Sequence, residues 1–487
     1  MAETPTDNIK LLTARTLKWN TIDKVLSQVL YAVTGIILAN VVSKEEFGLV
    51  GSILIFQAFA SLFVDSGFSF AIIQKKNPTD TDFSTVFYFN FAMSVAIYAV
   101  LWMAAPLIAE VFGSEKLIPL SRVMFLTFII NATAVVQTNR LTKMMTVKMV
   151  AVSNTIGLVV SGIVGVWLAL AGYGAWAIVW QSITLATVKS AILWATSQWM
   201  PSFVFSFTSL RSIFKVGAGV LTTSFLNTVS LNIYNYIIGA YYSLTSLGIY
   251  TQADKWSKMG IASLSQIFTS SFLPLLSKFQ DDKEQFLKTV AKTNRCVGYI
   301  MFPCFGVLIT SSETIFHLLF GTKWDEAIPL FQLLLIRGIF VVITALYNNL
   351  IISIAKSKAM VYSELVKDLL LIVAIVLTIG ESMTVLVLGQ VACGAVFFAA
   401  SLIITSRSMK CSAWLLVRDF LPYLAITTAA IIIPIMAAGY ISNNLLLLAA
   451  QLVSGFGVYF LVCFVLGSKI QKDIFSYAFG RFLNRKS

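Results

Sequence analysis

The chain turns on Ile37-Leu38-Ala39-Asn40-Val41-Val42-Ser43-Lys44-Glu45-Glu46-Phe47-Gly48-Leu49, which closes one apolar stretch, makes a short polar turn and opens the next. Two hundred residues on, Ile237-Ile238-Gly239-Ala240-Tyr241-Tyr242-Ser243-Leu244-Thr245-Ser246-Leu247-Gly248-Ile249 has the same shape. At that offset Ile37, Ser43 and Gly48 meet Ile237, Ser243 and Gly248, and Phe47/Leu247 and Leu49/Ile249 are conservative matches. Gly and Ser are common at turns, so the argument for a repeat needs further pairs. The stretch Val111-Phe112-Gly113 to Pro119 resembles Leu319-Phe320-Gly321 to Pro329, at an offset of 208 to 210. Asn139, Lys148 and Ser153 meet Asn349, Lys358 and Ser363 at the 210 offset. Two long halves share one plan.

Composition sets the solvent. Apolar residues make up 58% of the chain and charged residues 12%, against about 45–50% and about 25% in soluble domains. Mean hydropathy is +0.84, which identifies a polytopic membrane protein. The net charge of +13 reads first as topology, because cytoplasmic loops collect Lys and Arg; no nucleic-acid partner is expected. The five cysteines have no metal-type spacing and read as small packing residues. Met1 to Lys18 is polar and runs into a full-length span without a small-residue cleavage site, so no removable signal peptide is expected.

Fourteen apolar spans of about 20 residues or more follow one another. Alternating strands of about 10 residues, the mark of a membrane barrel, are missing. The fold class expected is an all-α polytopic membrane protein with 14 transmembrane helices. Placing the N-terminus in the cytoplasm puts 25 of the 35 basic residues in inner loops and tails and 4 outside. The opposite orientation, or an odd number of spans, destroys that asymmetry. The division expected is a cytoplasmic tail 1–15, an N-lobe 16–197 with helices 1–6, a cytoplasmic linker 198–212 and a C-lobe 213–408 with helices 7–12. Two additional helices occupy 409–468, and 469–487 is a cytoplasmic tail. Six spans per half preserve orientation, so the two six-helix lobes should be parallel repeats about an axis along the membrane normal.

Charges inside spans carry the functional information, since one near the bilayer centre costs about 2.5–3.5 kcal/mol and should face a cavity or a partner. They include Lys24 in span one, Asp65 in span two, Asp254, Lys255 and Lys258 in span eight, Arg337 in span ten, and Glu364, Lys367 and Asp368 in span eleven. The last three, at i, i+3 and i+4, can neutralise one another. Span one presents Asn20, Lys24, Ser27, Gln28, Tyr31 and Thr34 along one side. Span seven offers Asn227 and Tyr234 at related positions. These rows fit a water-filled cavity between the halves, and Ser, Thr and Asn also fit ordinary helix contact. The cavity set is Lys24, Gln28, Tyr31, Asn227, Tyr234, Lys255 and Lys258, with Asp65 and Asp254 as coupling or balancing charges. No catalytic residue, metal ligand or cofactor is expected. His317 is the single histidine and reads as structural. No Gly-Lys-Ser/Thr phosphate loop is present, so the chain carries no nucleotide motor of its own.

Three stretches, Phe47-Gly48-Leu49, Gly172-Tyr-Gly-Ala-Trp176-Ala-Ile-Val-Trp-Gln181 and Phe320-Gly-Thr-Lys-Trp324-Asp-Glu-Ala327, resemble hallmarks of the polysaccharide transporter family of the multidrug/oligosaccharidyl-lipid/polysaccharide exporter superfamily. The likeness runs over roughly residues 10–470. It implies two six-helix lobes in a V and a flippase for oligosaccharides on an undecaprenyl diphosphate carrier. The products implied are O-antigen, capsule or exopolysaccharide, and the location is the bacterial inner membrane. Polysaccharide polymerase and export machinery are the protein partners implied. Members place cations in the cavity without one fixed motif, so no residue set carries over. H⁺ or Na⁺ movement, or substrate supply alone, stays open as the energy source. Two rival readings are a multidrug-type cation exporter of the same fold, which calls for acidic cavity residues, and a membrane-embedded polysaccharide polymerase or ligase, which calls for a large outer loop.

Overall fold

A computed structural model describes residues 5–63, 67–277, 282–353 and 357–473. Asp65 lies outside the described residues. The chain forms two compact units, with the boundary between Thr251 and Gln252. No strand occurs among the described residues.

The first unit contains α1 (Pro5–Val41), α2 (Lys44–Ser61), α3 (Gly67–Gln74), α4 (Asp80–Val111), α5 (Leu117–Met124), α6 (Leu126–Lys143), α7 (Val147–Leu170), α8 (Ala175–Ser197), α9 (Phe207–Tyr241) and the first turns of α10 (Leu244–Ser277). The second holds the rest of α10, then α11 (Lys283–Thr310), α12 (Ser312–Phe320), a 3-10 turn at Gly321–Trp324, α13 (Ala327–Ser353), α14 (Ser357–Thr378) and α15 (Met383–Met409). It closes with α16 (Ala413–Val417), α17 (Leu421–Ala430), α18 (Ile432–Ala437) and α19 (Asn444–Val465). Some expected spans are divided between helices in tandem: 46–73 runs over α2 and α3, 117–139 over α5 and α6, and 420–440 over α17 and α18. Among the described residues eight helical segments are long and apolar enough to cross a membrane, or nine when the bent pair α11–α12 counts as one.

The repeat is written in the backbone. α1 ends at Val41 and α2 begins at Lys44; α9 ends at Tyr241 and α10 begins at Leu244. The side chain of Ser43 accepts a hydrogen bond from the Glu46 N–H at 3.3 Å, and that of Ser243 from the Ser246 N–H at 3.0 Å. Both satisfy amide protons that a helix start leaves without partners. α4 and α12 each lead into a glycine with positive φ, Gly113 at 66° and Gly321 at 62°, a conformation that a Cβ disfavours. Pro119 and Pro329 each occupy the third position of the next helix.

The two copies then cross. A methyl on Gly48 would lie 1.8 Å from the Leu244 carbonyl oxygen, and one on Gly248 1.9 Å from that of Lys44. The first turns of α2 and α10 therefore meet backbone to backbone, which only residues without a side chain permit. Glu46 adds a second tie. One carboxylate oxygen accepts from the Ser43 N–H at 3.0 Å and the other from the Ala175 N–H at 3.3 Å. A single side chain thereby closes the capping box of α2 and caps α8.

The segment 198–206 is sewn to the start of α4. Trp199 Nε1 donates to Asp80 at 3.3 Å, the Ser202 N–H to Ser84 Oγ at 3.1 Å and the Ser206 N–H to Thr85 Oγ1 at 3.1 Å. Buried Asp82 completes the clasp, with Lys75 at 2.7 Å and the hydroxyl of Ser209 donating to it.

In the second unit, α11 and α12 meet at a 58° bend. Gln332 Nε2 donates to Ser312 Oγ at 2.7 Å and to the Ile309 carbonyl at 3.3 Å, so polar groups at the break keep partners. α17 and α19 pack on α11. The Tyr459 hydroxyl donates to the Tyr299 carbonyl at 3.0 Å, and Asn294 to the Leu416 carbonyl at 2.8 Å.

Candidate functional site

The informative stretch of α10 is Gln252-Ala253-Asp254-Lys255-Trp256-Ser257-Lys258. Trp256 fixes the rotation of this turn. Its Nε1 donates to Gln252 Oε1 at 3.1 Å, and its ring lies 5.6 Å from that of Phe320. Asp254 is buried at 6% exposure and pairs with Lys258 across one turn at 2.6 Å, the i,i+4 geometry that brings opposite charges together. Lys255 is exposed, makes no ion pair among the described residues, and holds its ammonium 5.4 Å from the centre of the Trp256 ring. One turn thus carries a closed acid–base pair beside a cation held near the Trp256 ring by cation–π attraction.

The other sequence-derived residues belong to the first unit. Lys24 is exposed on α1, Gln28 is half-buried and Tyr31 is 45% exposed. Asn227 is exposed on α9. Tyr234, also on α9, is 2% exposed, and its ring packs inside the unit. In the second unit Arg337 is half-buried, and Lys367 pairs with Glu364 and, at 3.9 Å, with Asp368. His317 Nε2 lies 3.0 Å from Asp325 Oδ1. No group of three or more His, Cys, Asp or Glu side chains able to hold a metal occurs among the described residues.

Two features escaped the sequence reading. Asp23 accepts a hydrogen bond from Asn154 Nδ2 at 3.0 Å, and the same amide donates to Ser27 Oγ at 2.9 Å. This polar triad joins α1 to α7. Lys189 on α8 lines a cavity of about 340 Å³ with Asn131, Thr138, Asn139 and Ser190, and makes no ion pair among the described residues. A charge-by-charge pass over the apolar spans would have flagged both, since Asp23 and Lys189 interrupt them as plainly as Lys24 does.

A family model described as polysaccharide biosynthesis protein matches residues 37–329. The teichuronic acid biosynthesis protein TuaB of Bacillus subtilis (strain 168) is 25% identical over 347 residues, covering 70% of this chain and 71% of its own. The succinoglycan biosynthesis transport protein ExoT of Rhizobium meliloti (strain 1021) is 26% identical over 337 residues, covering 69% and 68%. Among solved structures, the lipid II flippase MurJ in an inward closed conformation superposes with a TM-score of 0.73 at 15% identity, over 94% of this chain and 99% of that one. That likeness establishes the fold, a multi-pass helical membrane fold shared with MurJ. With the family model matching well over half of its length, the chain belongs to the polysaccharide biosynthesis protein family.

Proposed function

We propose that the protein is a flippase that carries undecaprenyl-diphosphate-linked oligosaccharide across the bacterial inner membrane, without catalysing a covalent step. In this reading all fourteen spans cross, and both termini are cytoplasmic. The observation that carries it is the turn Asp254–Lys258, where an apolar helix holds an exposed Lys255 beside a closed Asp254–Lys258 pair. A diphosphate–sugar head cannot enter about 30 Å of hydrocarbon unaided. Fixed ammonium groups replace part of its hydration, and their attraction strengthens where the dielectric is low. An arriving diphosphate is drawn to Lys255 and competes with Asp254 for Lys258. The prenyl chain stays in lipid while access to the head group alternates between the two sides.

Family membership and the role of ExoT in succinoglycan transport support the same reading. The rival cation exporter calls for acidic cavity residues; Asp254 is engaged by Lys258 and Asp23 by Asn154. The test is reconstitution into liposomes with a fluorescent lipid-linked oligosaccharide and an impermeant quencher. Protein-dependent loss of the protected inner-leaflet signal is the expected result. Liposomes that retain that signal while exporting cationic dyes would transfer the assignment to the rival.

A further inference from the structure

The second unit carries another concentration of positive charge. A cleft of about 600 Å³ opens where the first turns of α11 meet α16 and residues 469–473. Lys288, Lys292, Arg295, Arg418, Lys469 and Lys472 all line it. Carboxylates answer three of the six. Glu284 pairs with Lys288 at 2.6 Å, Asp473 with Lys292 at 3.2 Å, and Asp419, set behind the wall, with Arg295 at 2.8 Å. Arg418, Lys469 and Lys472 are exposed and make no ion pair among the described residues.

Topological sorting alone accounts for cations at a cytoplasmic end. It does not account for their convergence from three separate stretches of chain on one concavity, where like charges raise the local potential and concentrate anions. The volume falls in the range of small-ligand sites, about 300–1,000 Å³, and exceeds what one inorganic ion fills. The wall is part apolar, with Leu287, Leu415 and Ile470 between the cations. Immediately before Lys469, the end of α19 leaves Phe464, Val465 and Leu466 exposed at 70%, 74% and 68%. Charge and exposed apolar surface therefore adjoin, which suits an amphiphile rather than a soluble anion.

We propose that this cleft binds the phosphate head of an anionic membrane lipid, whose chains lie against the exposed end of α19. Two sources share that chemistry: an anionic glycerophospholipid, or the polyprenyl diphosphate carrier awaiting transport. The second rests on the function proposed above; the first does not.

The test uses the full-length protein in detergent, titrated separately with phosphatidylglycerol, undecaprenyl diphosphate and zwitterionic phosphatidylcholine, with binding read by native mass spectrometry. The difference between wild type and Arg418→Gln/Lys469→Gln/Lys472→Gln reports the cleft alone, whatever binds at α10. The expected result is a drop of at least tenfold in affinity for one or both anionic lipids in the triple variant, a similar drop in wild type when salt is raised, and little phosphatidylcholine bound by either. A loss confined to undecaprenyl diphosphate makes the cleft a loading site; a loss that includes phosphatidylglycerol makes it a general lipid site. Lys469→Gln/Lys472→Gln repeats the comparison if the triple variant melts early. Equal binding of phosphatidylcholine, or unchanged affinities in both variants, overturns the proposal. Because the readout is binding, that outcome leaves the flippase reading standing, and failure of flipping leaves the cleft untouched.

Discussion

Gly48 and Gly248, two hundred residues apart, touch: a methyl on Gly248 would lie 3.1 Å from the Gly48 nitrogen as well as 1.9 Å from the Lys44 carbonyl oxygen. The atoms in the way are backbone and cannot rotate aside. Gly48→Ala and Gly248→Ala should each destabilise by about 1–3 kcal/mol or more, the usual range for overpacking, and lower the melting temperature in detergent. Gly457→Ala is the control. Nothing lies within 4 Å of that added methyl, and Ala gains up to about 1 kcal/mol of helix propensity over Gly. Equal melting of Gly48→Ala and wild type would mean the crossing relaxes freely.

The two lysines of α10 should separate in their effects. Lys255→Ala removes a cation that has no ion pair among the described residues, so membrane levels should hold while polysaccharide export falls sharply in a complementation assay. Lys258→Ala strips buried Asp254 of its partner, at about 1–3 kcal/mol, so levels should fall too. Adding Asp254→Asn should return the level without returning export. Lys255→Glu should export less than Lys255→Ala, because it repels phosphate. Normal export from Lys255→Ala/Lys258→Ala/Asp254→Asn at normal levels would remove this turn from the head-group site.

The clasp on α4 gives a test by proteolysis. Asp82→Ala removes the acceptor shared by Lys75 and Ser209. Cleavage within 200–207, where Phe203 is 99% exposed, should accelerate at least tenfold over wild type, as expected when a local opening loses about 1.4 kcal/mol. An unchanged cutting rate would show that the Ser84 and Thr85 contacts suffice.

Orientation is testable by cysteine labelling. Single cysteines replacing Lys44, Ser114 and Lys323 should react with an impermeant maleimide from outside, and one replacing Lys75 only after permeabilisation. Outside reactivity at position 75 would reverse the topology.

The all-helical plan was legible because membrane spans need long apolar runs, and eight or nine such helical segments stand among the described residues. The repeat was legible at its turns, where Ser43/Ser243 and Gly113/Gly321 answer local backbone demands. Partnership was not legible. Asp23 meets Asn154 from 131 positions away, and no local pattern records that distance. The 58° bend at Ser311 was equally hidden: the sequence there lacks a proline, and the polar group that supports the break, Gln332, arrives from the next helix.

The Gly48–Gly248 crossing also has a place in time. At about 5–20 residues per second, the ribosome delivers Gly248 roughly 10–40 s after Gly48. Through that interval the first turn of α2 presents bare backbone to whatever lies beside it. Glu46 closes the Ser43 capping box at once but waits for Ala175 before it can cap α8. Assembly of the first unit therefore ends on this contact, and a chain released after α8 would lack both α9 and the turn of α10 that covers Gly48.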